Sequence, residues 1–406
     1  MVENERCAVG PGGGGWVNRY AKHADVQTVK VVLAHEWLLS ASGSDKVAAE
    51  IARMFSVDEM LTAISDPRIA ERLVPGVPVR TMWTDRLPGA HDHWMRYAPA
   101  LLGAWSTVRV GKADLLISSS HFGAKAAGAH FDGPHVSYCY TPMRYAWRPD
   151  LEDGRLQGLA GSVGRALRPQ LRRWDRWSAR SVDQFVAIST CVAERIRDCY
   201  DRPAIVVHPP CAVASFSTIE RETPVGGGSH YLCFGRLVAY KRIDLAVEAC
   251  TRAGLPLVVA GRGPELARLK AMAGPTVRFE EQVSDERYRE LLGGARGLLF
   301  PGEEDFGIVP VEAMAAGVPV IAFSLGGVLD TVVDGVTGVL FAEQTAASLL
   351  DGIERADRTA FEVEKLRAQA EGFRPEVFRE RFGAVVAKAF ESRSPEEPRQ
   401  QADRWP

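Results

Sequence analysis

The first apolar run, Val29–Ala34, is short and rich in β-branched residues, which predicts a buried strand. A polar loop from His35 to Asp45 follows, and Lys46–Phe55 then carries apolar residues at helical spacing. Further strands are predicted at Ala113–Ile117, His135–Cys139 and Gln184–Ile188, with helical stretches between them. The pattern is interrupted near Ile205–Pro210, and Ser217–Ser229, rich in Thr, Glu and Gly, reads as an interdomain linker. Beyond it the alternation is regular. Strands are predicted at Tyr231–Phe234, Pro256–Ala260, Thr276–Phe279, Leu298–Phe300 and Val320–Phe323. Helices are predicted between them at Lys241–Cys250, Pro264–Ala273, Ser284–Gly293 and Ile308–Ala316. Strict alternation means βαβ units, right-handed crossovers and parallel sheets, an α/β fold class.

The 406 residues suffice for two to three domains, and 46% apolar with 25% charged residues excludes a disordered or collagen-like chain. A net charge of −2 argues against a dedicated nucleic-acid binder. The seven cysteines include no C-x-x-C pair, so they read as reduced core thiols of a cytoplasmic protein rather than a zinc or dithiol site. No apolar run is long enough to span a membrane, and the start of the chain lacks the apolar core of a signal peptide. Residues 1–27 and 393–406 are expected to be flexible tails. Between them lie an N-terminal domain at 28–215 and a C-terminal domain at 216–373. A helix at about 374–392 is expected to pack back on the first domain.

Open parallel sheets bind ligands beyond the carboxyl ends of their strands, so the strand-to-helix loops matter most. Three in the second half stand out. In Phe234–Arg242, Gly235 permits a sharp turn, and Arg236 and Lys241 bring two cations that suit a diphosphate, although a solvated cationic loop would look the same. In Val259–Glu265, Gly261 and Gly263 make a nest-like turn, short of a full G-x-G-x-x-G because Leu occupies position 266. In Phe300–Pro319, an acidic loop opens a helix near Phe306–Ile308. The free amides of Phe306, Gly307 and Ile308 could hold an anion or a hydroxyl there. Glu304 and Glu312 would repel phosphate and so are expected to grip sugar and ribose hydroxyls. Either acid could equally serve only the helix dipole.

Together these residues resemble the retaining glycosyltransferase family 4. Glu304 and Glu312 match its E-x7-E signature, Gly235-Arg236 with Lys241 its G-R-x-x-x-x-K loop, and Gly261-x-Gly263-Pro264 its second nucleotide loop. Gly326-Gly327 and Asp334–Gly338 match its trailing glycine segments. The resemblance implies a GT-B fold, two Rossmann-like domains with parallel sheets facing across a cleft, and metal-independent retaining transfer from a nucleotide-sugar. It implies that Arg236 and Lys241 hold the donor diphosphate, Glu304 the donor sugar with the Phe306 and Gly307 amides, and Glu312 the ribose. Gly43, in the place of the first glycine-rich loop, and His121, after Ser118–Ser120, take the donor-side and active-site positions of the first half. His91-x-His93 lacks a third ligand, no D-x-D triplet is present, and no metal or cofactor is expected.

Tyr140–Trp147 (Tyr-Thr-Pro-Met-Arg-Tyr-Ala-Trp) resembles GDP-mannose-dependent mannosyltransferases that build lipid-linked polysaccharides. The expected donor is therefore GDP-mannose and the acceptor a saccharide or lipid-linked saccharide. A UDP-sugar with a small-molecule acceptor, a non-catalytic nucleotide-sugar-binding subunit and a nicotinamide-dependent dehydrogenase are the rivals. The stretch Arg155–Arg180 holds seven Arg and one acid, Asp175. It reads either as an interfacial patch, giving peripheral contact with the inner membrane face, or as an ordinary amphipathic helix with Trp174 and Trp177 in the core.

Overall fold

In the computed structural model, residues 29–148, 158–221 and 224–392 are described; both expected tails and Arg155 lie outside them. Two compact units emerge. The first comprises residues up to Cys139, Arg173–Val186 and the chain from Arg381; the second comprises Tyr140–Arg172 and Ala187–Glu380.

The first sheet contains β1 (Val31–His35), β2 (Glu59–Thr62), β3 (Val79–Thr81), β4 (Leu115–Ser120), β5 (His135–Cys139), β6 (Gln184–Ala187) and β7 (Ala204–Val206). Their order is β3-β2-β1-β4-β5-β6-β7, and β1, β2, β3, β4 and β5 pair in parallel. β1 and β4 are buried along their whole lengths, as strands covered on both faces must be. The helix Gly43–Phe55 starts three residues before the predicted Lys46, because Ser42 and Asp45 form a capping box around its first turn. The sequence pattern missed β2 and β3. Both are short, and β3 is a half-exposed edge strand with no apolar run to betray it. Phe382, midway along the helix Pro375–Ser392, packs edge-on against Phe55 and Tyr138 in this unit.

The second sheet contains β8 (His230–Phe234), β9 (Leu257–Ala260), β10 (Val277–Glu280), β11 (Ala295–Phe300), β12 (Val320–Phe323) and β13 (Gly338–Phe341). Its order is β10-β9-β8-β11-β12-β13, and every pair is parallel. Both sheets are therefore doubly wound. The strand order reverses between β1 and β4 in the first and between β8 and β11 in the second, and a ligand crevice is expected at such reversals. Leu237, Val247, Val259, Leu299, Ile321 and Phe341 belong to the core on one face of the second sheet. Predicted β12 agrees residue for residue, whereas β11 begins at Ala295 rather than Leu298 because Gly297 interrupts the apolar run.

The arginine-rich stretch falls on the helix Gly158–Ala179. Its Trp174, Asp175, Trp177 and Ser178 are buried and Leu167 is exposed. Asp175 meets the buried Lys125 at 2.6 Å, and the Trp174 indole donates to Ser106 Oγ, so this face is occupied by packing within the first unit. Among the described residues no helix is long and apolar enough to cross a membrane.

Candidate active site

At the strand-order reversal of the second sheet, the loops after β8 and β11 lie against each other. Gly235 adopts φ +130°, a region open to glycine and costly to other residues, and its amide donates to the Ala260 carbonyl at the end of β9. A Cβ on Gly261 would come 1.9 Å from the Gly235 oxygen, so the two glycine loops of the sequence are one interlocked surface. A Cβ on Gly302 would likewise fall 2.6 Å from the Lys241 Cα, which lets the loop after β11 approach the lysine backbone.

That approach brings Lys241 Nζ to 2.8 Å from Glu304 Oε1. Burial opposes the lysine charge, but Glu304 and then Tyr240 outweigh it and raise the pKa; Arg236 acts the other way. Arg236 is exposed and close enough for its charge to be felt at Lys241. The two cations and Glu304 thus share one locus.

The acidic tripeptide Glu303–Asp305 divides its charges. Glu304 pairs with Gly326 as a parallel bridge, and the extended chain sends neighbouring side chains to opposite sides. Glu304 meets Lys241. Glu303 accepts a two-pronged contact from Arg148 at 2.8 and 2.9 Å and another from Arg195 at 2.7 Å. Asp305 pairs with Arg144 and Arg195. Burial works against the Arg144 charge, but Asp305 and then Tyr240 raise its pKa further. Three arginines from remote segments therefore neutralise the outer two acids. In the sequence Arg144 stands out only as part of its motif, and Arg148, Arg195, Glu303 and Asp305 not at all; pairs more than 100 residues apart leave no local spacing to read.

Gly326 and Gly327 explain themselves here. A Cβ on either would strike the Glu304–Phe306 backbone, at 2.5 and 2.3 Å, and the Gly327 amide donates to the Glu304 carbonyl. Gly307, at φ +89°, caps the helix Ile308–Ala315, and Gly317, at φ +75°, ends it, close to the predicted limits. Phe306 is buried and stacks with His208, itself held by Asp330 at 3.1 Å. Glu312, on that helix, accepts a hydrogen bond from Tyr288. Gly263 packs on the Leu237 carbonyl.

Gly43 and His121 belong to the first unit. Gly43 is exposed at the start of the helix Gly43–Phe55. His121 follows β4 at that sheet's own reversal, with the Trp37 ring edge-on at 5.1 Å. Beneath it lies Glu36, wholly buried, a residue the sequence reading passed over. Its carboxylate accepts from Ser120 Oγ and from the amides of His121, Phe122, Gly123 and Ala124, all at 2.7–3.0 Å. Burial disfavours its charge, but His121 and the amides of Gly123, Phe122 and Ala124 hold its pKa below the ordinary value. Among the described residues no group of three or more His, Cys, Asp or Glu could hold a metal ion.

Comparison with known proteins agrees with this architecture. Residues 217–371 match the model described as glycosyl transferases group 1, and residues 44–211 match the glycosyl transferase 4-like domain. A glycogen synthase of Pseudomonas paraeruginosa is 41% identical over 141 residues, 32% of this chain and 27% of that protein. One from Mycobacterium tuberculosis is 28% identical over 205 residues, 47% of this chain and 49% of its own length. The chain thus spans about half or less of these curated relatives. The crystal structure of Anabaena HepE with UDP and glucose superposes with a TM-score of 0.65 at 15% identity, covering 88% of this chain and 99% of that one. Sucrose-phosphate synthase of Thermosynechococcus elongatus does so with a TM-score of 0.65 at 16% identity, covering 90% and 100%. These findings support a GT-B glycosyltransferase: two Rossmann-like halves of parallel strands that match, in order, the glycosyl transferase 4-like and glycosyl transferases group 1 domains.

Proposed function

We propose that this protein transfers a hexose from a nucleoside-diphosphate sugar to a hydroxyl of a saccharide or lipid-linked saccharide, with retention at the anomeric carbon and without a metal. The observation that carries the reading is the Lys241–Glu304 pair, with Arg236 beside it, at the strand-order reversal of the second sheet. Arg236 and Lys241 bind the diphosphate and offset the charge that grows on it as the glycosidic bond breaks. Glu304 binds sugar hydroxyls, helped by the amides of Phe306, Gly307 and Ile308, and Glu312 takes the ribose. Gly235, Gly261 and Gly263 let the backbone approach the nucleotide, and Gly43 and His121 keep the donor-side and active-site roles that the resemblance gives them. The leaving diphosphate takes the proton from the acceptor hydroxyl on the face it departs from.

For the donor we propose GDP-mannose, on the resemblance of Tyr140–Trp147. A UDP-sugar is the second reading, favoured by the fold shared with HepE, whose structures hold UDP and UDP-glucose. We place the reaction in the cytoplasm, and a lipid-linked acceptor would bring the arginine-rich stretch to the inner membrane face.

A thermal-shift panel of GDP, UDP, ADP, dTDP and NAD tests all of this together with transfer from the matching labelled sugar. One nucleoside diphosphate should raise the midpoint, since a ligand held 100-fold above its Kd adds about 2.7 kcal/mol. Lys241→Ala should lose both that shift and transfer while keeping the folded far-UV spectrum. Wild-type turnover in that variant refutes the diphosphate role. Nucleotide binding without product from any donor would favour a non-catalytic subunit, and a shift with NAD alone would favour the dehydrogenase.

A further inference from the structure

Glu312 does not stand alone on its helix. Tyr288, on the helix Asp285–Gly293, reaches across and donates from its phenol to Glu312 Oε2 at 3.1 Å. Tyr288 is 4% exposed. Its ring lies flat on Phe234, with centroids 3.6 Å apart and planes 12° from parallel, and Phe216 meets it edge-on at 5.6 Å. Phe234 is the last residue of β8, directly before Gly235. One buried side chain therefore ties the root of the diphosphate loop to the acid on the helix Ile308–Ala315.

A phenylalanine or leucine would fill this core position equally well. The hydroxyl is needed for a polar partner, and a buried tyrosine hydroxyl normally has one. Burial, and then the charge of Glu312, push the phenol well above its ordinary pKa. It stays protonated and acts as a donor at any pH near neutrality.

We propose that Tyr288 is a positioning residue that sets the Glu312 carboxylate for the ribose hydroxyls of the donor nucleotide. This rests on the reading of Glu312 as the ribose acid, so the test separates the two. Isothermal titration would compare whichever of GDP or UDP the wild type binds with its 2′-deoxy and 3′-deoxy forms, in wild type, Tyr288→Phe and Glu312→Ala. A hydrogen bond from a hydroxyl to a carboxylate sets a preference of about tenfold or more for the ribonucleotide. Wild type should show it against at least one deoxy form. Glu312→Ala should abolish it, and Tyr288→Phe should narrow it to about threefold or less with the folded spectrum intact. A wild-type preference retained in Tyr288→Phe while Glu312→Ala loses it overturns the positioning role and leaves the ribose reading standing. A preference retained in Glu312→Ala, or absent from wild type, removes the ribose reading and this inference with it. Should Tyr288→Phe not fold, Tyr288→Met, which also fills the space without a donor, is read by the same criterion.

Discussion

At the scale of single residues, the division of charge within Glu303–Asp305 organises the second unit's site. Two acids beside a diphosphate loop would repel its ligand, yet Arg144, Arg148 and Arg195 absorb them and leave Glu304 to Lys241. Arg195 is the shared partner of both outer acids and is largely buried. Its removal leaves Glu303 to Arg148 alone and Asp305 to Arg144 alone, so Arg195→Ala should cost about 2–3 kcal/mol in urea unfolding and weaken nucleotide binding at the same time. Adding Glu303→Gln should recover part of the stability loss, because one under-compensated charge is then gone. Additive losses in the double variant would mean that the two side chains act independently. Glu304, Lys241 and Arg236 were legible because all three sit in loops at predicted strand ends. Their arginine supports were not, since an ion pair between remote segments has no period. Glu36 did leave a trace: an acid directly after an apolar strand needs a partner, and its partners are the amides of another loop.

At the scale of elements, each sheet carries its candidate chemistry on the two loops that flank the reversal of strand order. In the first sheet these are the loops after β1 and β4, locked together by Glu36. A Gln at this position keeps the shape but turns an N–H group toward amide donors. Glu36→Gln should therefore cost about 3 kcal/mol at neutral pH. The sign of the pH dependence follows from the lowered pKa. The carboxylate's contribution is present in full above its reference value of 4.5 and is lost as pH falls through the folded pKa. The stability gap between wild type and variant should be widest near neutrality and narrow on acidification, by up to about 1.4 kcal/mol per pH unit. A gap that stays constant into acid would show that the charge of Glu36 does not hold the loop. Element by element, the second half was read as far as β12 because its buried strands are continuous apolar runs between glycine punctuation, whereas β13 and the helices Ala346–Arg358 and Val363–Glu371 were not. The short strands β2, β3 and β7 escaped, as three or four residues carry too little pattern, and in β3 and β7 exposed positions thin it further.

At the scale of the whole molecule, two doubly wound sheets with separate cores divide the work, and nearly every residue assigned to the donor belongs to the second unit. Arg236, Lys241, Glu304 and the three nucleotide-loop glycines lie between β8 and the helix Ile308–Ala315, and Glu312 lies on that helix. Hydrogen exchange can therefore locate the nucleotide. Adding the diphosphate that wins the thermal-shift panel should slow exchange in residues 235–242, 261–265 and 303–309. These amides belong to loops whose opening costs less than opening the sheet. The strands β1, β4 and β5, buried throughout, should exchange at unchanged rates. Lys241→Ala, treated with the same nucleotide, should lose the protection of 235–242. Protection confined to the loops after β1 and β4 would move the diphosphate to the first unit and leave Arg236, Lys241 and Glu304 as an ion-pair network that merely closes the second sheet.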